Sequence, residues 1–86
     1  YIYGAGIYGK LLLTILKNLG YCPQGFVVGN NRRKEGYIER IAVYELNEIL
    51  SDKEYGIIIA VDFNLQDEVE NYLEKNKITN YIEGWL

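Results

Sequence analysis

The stretch Tyr1-Ile2-Tyr3-Gly4-Ala5-Gly6-Ile7-Tyr8-Gly9-Lys10 decides the fold of this chain, because a glycine turn joins a buried-strand signal to an apolar helix signal. The pattern G-x-G-x-x-G between a strand and a helix is typical of nucleotide-binding crossovers. Gly4 would permit the tight turn, Gly6 would let the backbone approach a pyrophosphate, and Gly9 would let helix and strand pack closely. Free amides and the helix dipole at the helix start favour an anion there. The alternative is that the glycines serve only the sharp connection.

The rest of the chain alternates strand and helix signals. Apolar residues from Ile7 to Leu19 recur at helical spacing, and Gly20 is a plausible stop for that helix. Further strands are predicted over residues 25–29, 37–43, 55–61 and 81–82, and further helices over residues 44–50 and from Asn64 as N-cap. We therefore predict a three-layer α/β domain, Rossmann-like, with a parallel sheet of about five strands in the order 3-2-1-4-5.

Composition limits the class of protein. With 86 residues the chain forms one domain, residues 1–86, and the lack of methionine predicts a piece of a longer chain. Nine basic against twelve acidic residues give a formal charge of −3, which argues against a nucleic-acid surface. The absence of histidine and the single Cys22 argue against a Cys/His metal site and a disulfide framework, and favour the cytoplasm. No apolar run reaches membrane-spanning length.

Candidate binding residues follow the ends of the predicted strands. In dinucleotide-binding domains an acidic residue about 20 positions after the glycine turn binds the ribose. Here that position falls at Gly29 and Asn30, without an acid. Asn30 or Asn31 would contact a ribose or base edge, or would simply form a turn. Asp62, at the end of the strongest strand, would contact a sugar hydroxyl or serve as a turn residue.

The basic run Arg32-Arg33-Lys34 also has two interpretations. It forms a solvated loop, or it makes a local phosphate contact, in which Arg32 or Arg33 would meet a 2′-phosphate.

Four segments together resemble a known module: Gly4-Ala5-Gly6-Ile7-Tyr8-Gly9-Lys10, Gly25-Phe26-Val27-Val28, Ile41-Ala42-Val43 and Ile57-Ile58-Ile59-Ala60-Val61. The order is similar to the small Rossmann-like domain at the N-terminal side of bacterial sugar O-acyltransferases of the sialic-acid type. Related domains occur in nucleotide-sugar dehydratases and in other transferases of surface-polysaccharide pathways.

The resemblance implies a holder for a UDP-sugar, with the glycine turn against the nucleotide phosphates and residues after the second strand against the nucleoside. The acids that relatives carry after that strand are missing here, and Tyr8 stands where the acyltransferases often have histidine. The binding residues expected are Gly4, Ala5, Gly6, Ile7, Tyr8, Gly9, Asn30, Asn31 and Asp62. No catalytic or metal-ligating set is expected.

Three functions remain open at this point. The first is a nucleotide-sugar-binding module that serves a C-terminal catalytic domain of a transferase, with a UDP-sugar favoured over NAD(P). The second is an NAD(P)-binding domain of a dehydratase, oxidoreductase or redox sensor, whose proton-transfer candidates are Tyr8, Lys10 and Asp62. The third is a structural or homo-oligomerisation domain without a ligand, in which the tyrosines and Trp85-Leu86 form contact surface.

Overall fold

One mixed sheet organises the computed structural model, which describes residues 1–51 and 55–84. Within these residues the strands are β1 (Ile2–Tyr3), β2 (Phe26–Val28), β3 (Tyr37–Ile38), β4 (Ile41–Glu45), β5 (Ile57–Ile59) and β6 (Tyr81–Glu83). Their order across the sheet is β3-β4-β2-β1-β5-β6. All neighbours pair in parallel except β3 and β4, which are antiparallel. The α/β class is therefore confirmed, whereas the expected sheet of five parallel strands is corrected to a six-stranded, mostly parallel one.

The extra strand is half of a hairpin that sequence patterning merges into one strand over residues 37–43. Ile38 pairs with Ile41, so Glu39 and Arg40 form a two-residue loop. Their φ angles of 48° and 70° lie in the left-handed region, as the twist of a tight hairpin requires. Neither residue type is a usual choice for that conformation, so the turn has no signal in the sequence.

The helices are α1 (Ile7–Asn18), α2 (Leu46–Ile49) and α3 (Gln66–Lys75). As predicted, α1 stops just before Gly20, which follows the C-cap Leu19 and has a left-handed φ of 87°. The amides of Gly20 and Tyr21 donate to the carbonyl oxygens of Lys17 and Leu16. This pair of hydrogen bonds forms a Schellman motif, which satisfies carbonyl groups in the last turn of the helix.

Two helix starts differ from the predictions. Residues 44–50 do not form one helix, because β4 continues to Glu45 and α2 begins only at Leu46. Asn64 is not the N-cap of α3; instead it lies in a short 3-10 turn (Phe63–Leu65) that precedes the helix. Asp62 caps that turn, since its Oδ1 accepts the Asn64 amide at 2.9 Å.

Helices cover the sheet on both faces and so give three layers. Leu12 and Leu13 of α1 pack with Ile2 and Phe26 on one face. On the other face, side chains from α2, α3 and the strands form a second cluster, which contains Tyr3, Val27, Leu46, Ile49, Ile57, Ile59, Leu73 and Ile78. The central strand β1 contributes to both clusters and ends directly in the glycine turn.

Part of the predicted apolar face of α1 does not pack inward. Leu12 is buried and Leu16 half-buried, but Ile7, Leu11 and Leu19 are 81%, 48% and 66% exposed.

Two predictions fall outside the described residues. They are the contact surface predicted for Trp85 and Leu86, and the break after the second helix predicted at Asp52 and Lys53. Within the described residues, no helix combines the length and apolar character needed to cross a membrane.

Candidate functional site

The candidate site lies at the edge of the sheet where the parallel strands end. Gly4 follows β1, Gly29 and Asn30 follow β2, and Asp62 lies three residues beyond β5. Since β2, β1 and β5 are parallel neighbours, these residues are brought to one edge. Open α/β sheets bind their ligands in the crevice at this edge.

Two glycines of the turn are required by close backbone packing. Gly4 has a φ of 115°, and a Cβ built there would lie 2.5 Å from the Ala60 carbonyl oxygen. A Cβ on Gly9 would lie 2.0 Å from the Gly4 carbonyl oxygen. Gly4 thus permits the turn and Gly9 the close approach of α1, which are the structural tasks expected from the sequence.

Gly6 differs from both, because a Cβ built there would meet no protein atom within 4 Å. It is the N-cap of α1, where no side chain caps the helix and no acidic residue occupies the first turn. Gly6 has no side chain that could accept the first helical amides, and no acid in the first turn offsets the positive end of the helix dipole. The space beside Gly6 suits an anionic group of a ligand.

A cavity of about 400 Å³ joins the glycine turn to the end of β5. It is lined by Gly4, Ala5, Gly6, Ile7, Tyr8, Ala60, Val61, Asp62 and Leu65. The Tyr8 hydroxyl lies 3.5 Å from Oδ2 of Asp62 and donates to it. Six of the nine residues expected from the sequence line this cavity, and a seventh, Gly9, packs closely on Gly4 of its lining.

Asn30 and Asn31 lie apart from that cavity and have structural contacts of their own. The Asn30 side-chain oxygen accepts the Asn47 amide of α2 at 2.9 Å, and its backbone amide donates to the Tyr72 hydroxyl. Asn31 has a φ of 65°, which is the turn conformation that asparagine tolerates. Both residues thus have structural contacts in the loop between β2 and β3, which is compatible with the turn interpretation.

A second cavity, of about 420 Å³, lies on the β2 side of the glycine turn. It shares Ala5, Gly6 and Ile7 with the first cavity. Its remaining lining residues are Lys10, Val28, Arg32, Lys34, Glu35 and Val43. Both volumes lie in the range of small-molecule sites, which is about 300–1,000 Å³.

A third depression, of about 350 Å³, lies between Gly29, Asn30 and α3 and includes Tyr3 and Tyr72. Burial raises the pKa of Tyr3 to about 12; Tyr72 adds to the rise and Arg32 opposes it. Tyr3 therefore stays protonated at neutral pH and acts there as a neutral hydroxyl.

The sequence predicts that the basic run forms a solvated loop or makes a phosphate contact through Arg32 or Arg33. It does not predict that Lys10 and Lys34 lie close to each other in the folded chain. The three basic residues have different surroundings in the structure. Arg33 donates a hydrogen bond to Glu48, whereas Arg32 and Lys34 line the second cavity, on the β2 side of the glycine turn. Arg32 and Lys34 stand two positions apart with Arg33 between them, and this alternation is the signal that would have distinguished them. In the described part of the chain, no group of three or more His, Cys, Asp or Glu residues is arranged to hold a metal ion.

Comparison of this chain with protein-family models, with curated proteins and with solved structures finds no match. The likeness to sugar O-acyltransferase domains stays a prediction that rests on the sequence motifs.

Proposed function

We propose that this chain is a Rossmann-like nucleotide-binding module that holds the diphosphate of a nucleotide-sugar for a sugar-modifying transferase. The observation that carries the proposal is the open space beside Gly6, at the start of a helix whose N-cap residue has no side chain. The mostly parallel sheet, in which β1 lies between β2 and β5, also supports it.

Two adjoining cavities support a ligand with two ends. One cavity extends from the glycine turn to Asp62, and the other extends to Arg32 and Lys34. A diphosphate at Gly6 would direct its sugar toward one cavity and its nucleoside toward the other. The module would act by positioning and by stabilising phosphate charge, while a partner domain supplies the reaction.

An NAD(P)-binding domain is the second candidate. The end of β2 carries no acid to bind a ribose, which disfavours NAD. Arg32 and Lys34 line the cavity on that side, where a 2′-phosphate would lie, and this favours NADP over NAD.

Calorimetric titration of the wild-type chain and the Gly6→Val variant tests the proposal, with UDP-glucose, NAD and NADP as ligands. A Cβ at position 6 would meet no protein atom within 4 Å and would point into the proposed phosphate space, so the valine should abolish binding while the fold is kept. Gly56→Val is the matched control, because its Cβ would also have room and it lies just before β5, at the opposite edge of the sheet.

Binding of UDP-glucose that Gly6→Val abolishes and Gly56→Val preserves would support the module. A preference for NADP would promote the second candidate. Unchanged affinity in Gly6→Val, or no binding of any ligand, would contradict the proposed function.

A further inference from the structure

Three basic side chains converge on the cavity at the β2 side of the glycine turn. Lys10 comes from the first turns of α1, and Arg32 and Lys34 come from the loop after β2. Glu35 is the one acidic residue in the lining. The lining thus has a net charge of about +2 in a chain whose formal charge is −3. A local excess of this sign, against the sign of the whole chain, favours an anionic ligand.

These cations are not used by ion pairs within the described residues. The ion pairs there join Lys17 to Glu39 at 3.6 Å and Arg33 to Glu48 at 2.6 Å. Arg33 also donates to the Val43 carbonyl, so it fixes the loop against β4 and α2. That anchoring leaves its two neighbours, Arg32 and Lys34, on the cavity side.

The cavity shares Gly6 with the proposed phosphate position, so the basic residues stand beside that position and not at a separate surface. A sugar-linked nucleoside monophosphate brings one ionised phosphate to the site, whereas a sugar-linked diphosphate brings two. Charge-assisted contacts from lysine and arginine are stronger than neutral hydrogen bonds. The second phosphate is therefore the group from which these side chains would gain most.

We propose that Lys10, Arg32 and Lys34 form a phosphate subsite that selects nucleoside diphosphates and their sugar esters over nucleoside monophosphates. The proposal rests on the proposed function and names its substrate class: sugars linked through a diphosphate, as opposed to sugars linked through a monophosphate. Glu35 limits the attraction, since its carboxylate faces the same cavity.

Calorimetry with three matched pairs, UMP and UDP, AMP and ADP, and GMP and GDP, tests the selection without assuming the base. At least one diphosphate should bind about tenfold more tightly than its monophosphate. Arg32→Gln combined with Lys34→Gln should weaken that diphosphate about tenfold and change its monophosphate by less than about twofold. Glu35→Gln should tighten the diphosphate, and added salt should weaken it.

Lys17→Gln is the matched control, because Lys17 is a lysine of the same helix that pairs with Glu39 and lies outside the cavity. The Lys17→Gln variant should bind the diphosphate with the same affinity as the wild type.

The single variant Lys34→Gln tests the same selection as the double variant. Because the Lys34 side chain is exposed, this substitution carries the least risk to folding.

Equal affinity for mono- and diphosphates, with binding still lost in Gly6→Val, would overturn the selection and leave the proposed function intact. An equal loss of both ligands in the double variant would also overturn it. If none of the six nucleotides binds, the proposed function fails and the selection fails with it.

Discussion

Gly6 and Gly9 belong to one motif, yet they have opposite steric surroundings. A Cβ on Gly9 would lie 2.0 Å from a backbone oxygen, whereas one on Gly6 would meet nothing within 4 Å. Spacing alone predicts the motif and assigns tasks to its members. Only the packed structure shows that one glycine is fixed by folding and that the other is free of that constraint.

Gly9→Ala should therefore lower the free energy of unfolding by about 3 kcal/mol, because overpacking against backbone cannot be relieved by a side-chain movement. Gly6→Ala should change it by less than about 1 kcal/mol, since only the N-cap preference is affected. Urea unfolding followed by circular dichroism measures both. Similar stability of the two variants would contradict the packing described here.

Because of Tyr3, the free energy of unfolding of the chain should depend on pH in the alkaline range. Burial raises its pKa from 10.0 to about 12, so the folded state holds the phenol proton more tightly than the unfolded state does. The resulting stability is complete below pH 10 and is lost as the pH rises from about 10 to about 12. Tyr3→Phe should reduce this loss, which is measured as the difference in unfolding midpoint between variant and wild type across that range. Parallel pH profiles for the two proteins would exclude the assignment.

Asn30 makes a contact that the sequence does not predict. Asn30 was a candidate for a nucleoside contact because it follows a strand, but its side-chain oxygen accepts an amide of α2. Asn47 is 17 residues away in the chain, and no local pattern connects the two. Its position after β2 places Asn30 at the carboxyl edge of the sheet but does not predict its hydrogen-bond partner.

At the scale of elements, the strongest apolar segments were predicted well. The first strand, α1 with its glycine stop, and β5 all form where the sequence indicated. The hairpin of β3 and β4 was not predicted, because Glu39 and Arg40 adopt left-handed backbone without glycine or asparagine. Periodicity likewise identified α1 but not its inward side, since apolar residues occupy more than one of its sides.

The hairpin turn can be tested by giving it the residues that its geometry favours. Replacing Glu39 by Asn and Arg40 by Gly should stabilise the chain by about 1 kcal/mol, because left-handed backbone disfavours ordinary side chains. The change also removes the pair between Lys17 and Glu39, whose partly exposed side chains contribute little. Denaturant unfolding measures the gain, and Lys17→Gln in the wild-type background isolates the ion pair. A less stable double variant would contradict the turn assignment.

On α3, several carboxylates lie close together. Desolvation, followed by the charges of Glu83, Asp67 and Glu74, raises the pKa of Glu70. Glu70→Gln should therefore raise the thermal midpoint at neutral pH, and the gain should shrink as the pH falls and the wild-type carboxyl takes up a proton. A gain that does not vary with pH would assign it to helix propensity instead of charge.

For the whole molecule, parallel pairing brings together groups that are remote in the sequence. Gly6, Arg32 and Asp62 meet at one edge because β1, β2 and β5 all run toward it. The alternation of strand and helix signals correctly predicted the α/β class, whereas the site that the glycine motif indicates at this edge stays a prediction. The grouping of Lys10 with Arg32 and Lys34 depends on how the loop after β2 is anchored, and that follows from Arg33 and Glu48.

An NMR titration of the 15N-labelled chain with UDP is the direct test of the proposal that the glycine turn holds the phosphates of a nucleotide. We expect saturable shifts of the amides of Gly6, Ile7, Tyr8 and Gly9, with smaller shifts over residues 32–35. These shifts should vanish in Gly6→Val and persist in Gly56→Val. Saturable shifts that leave residues 4–9 unchanged, or the same shifts in Gly6→Val, would contradict it.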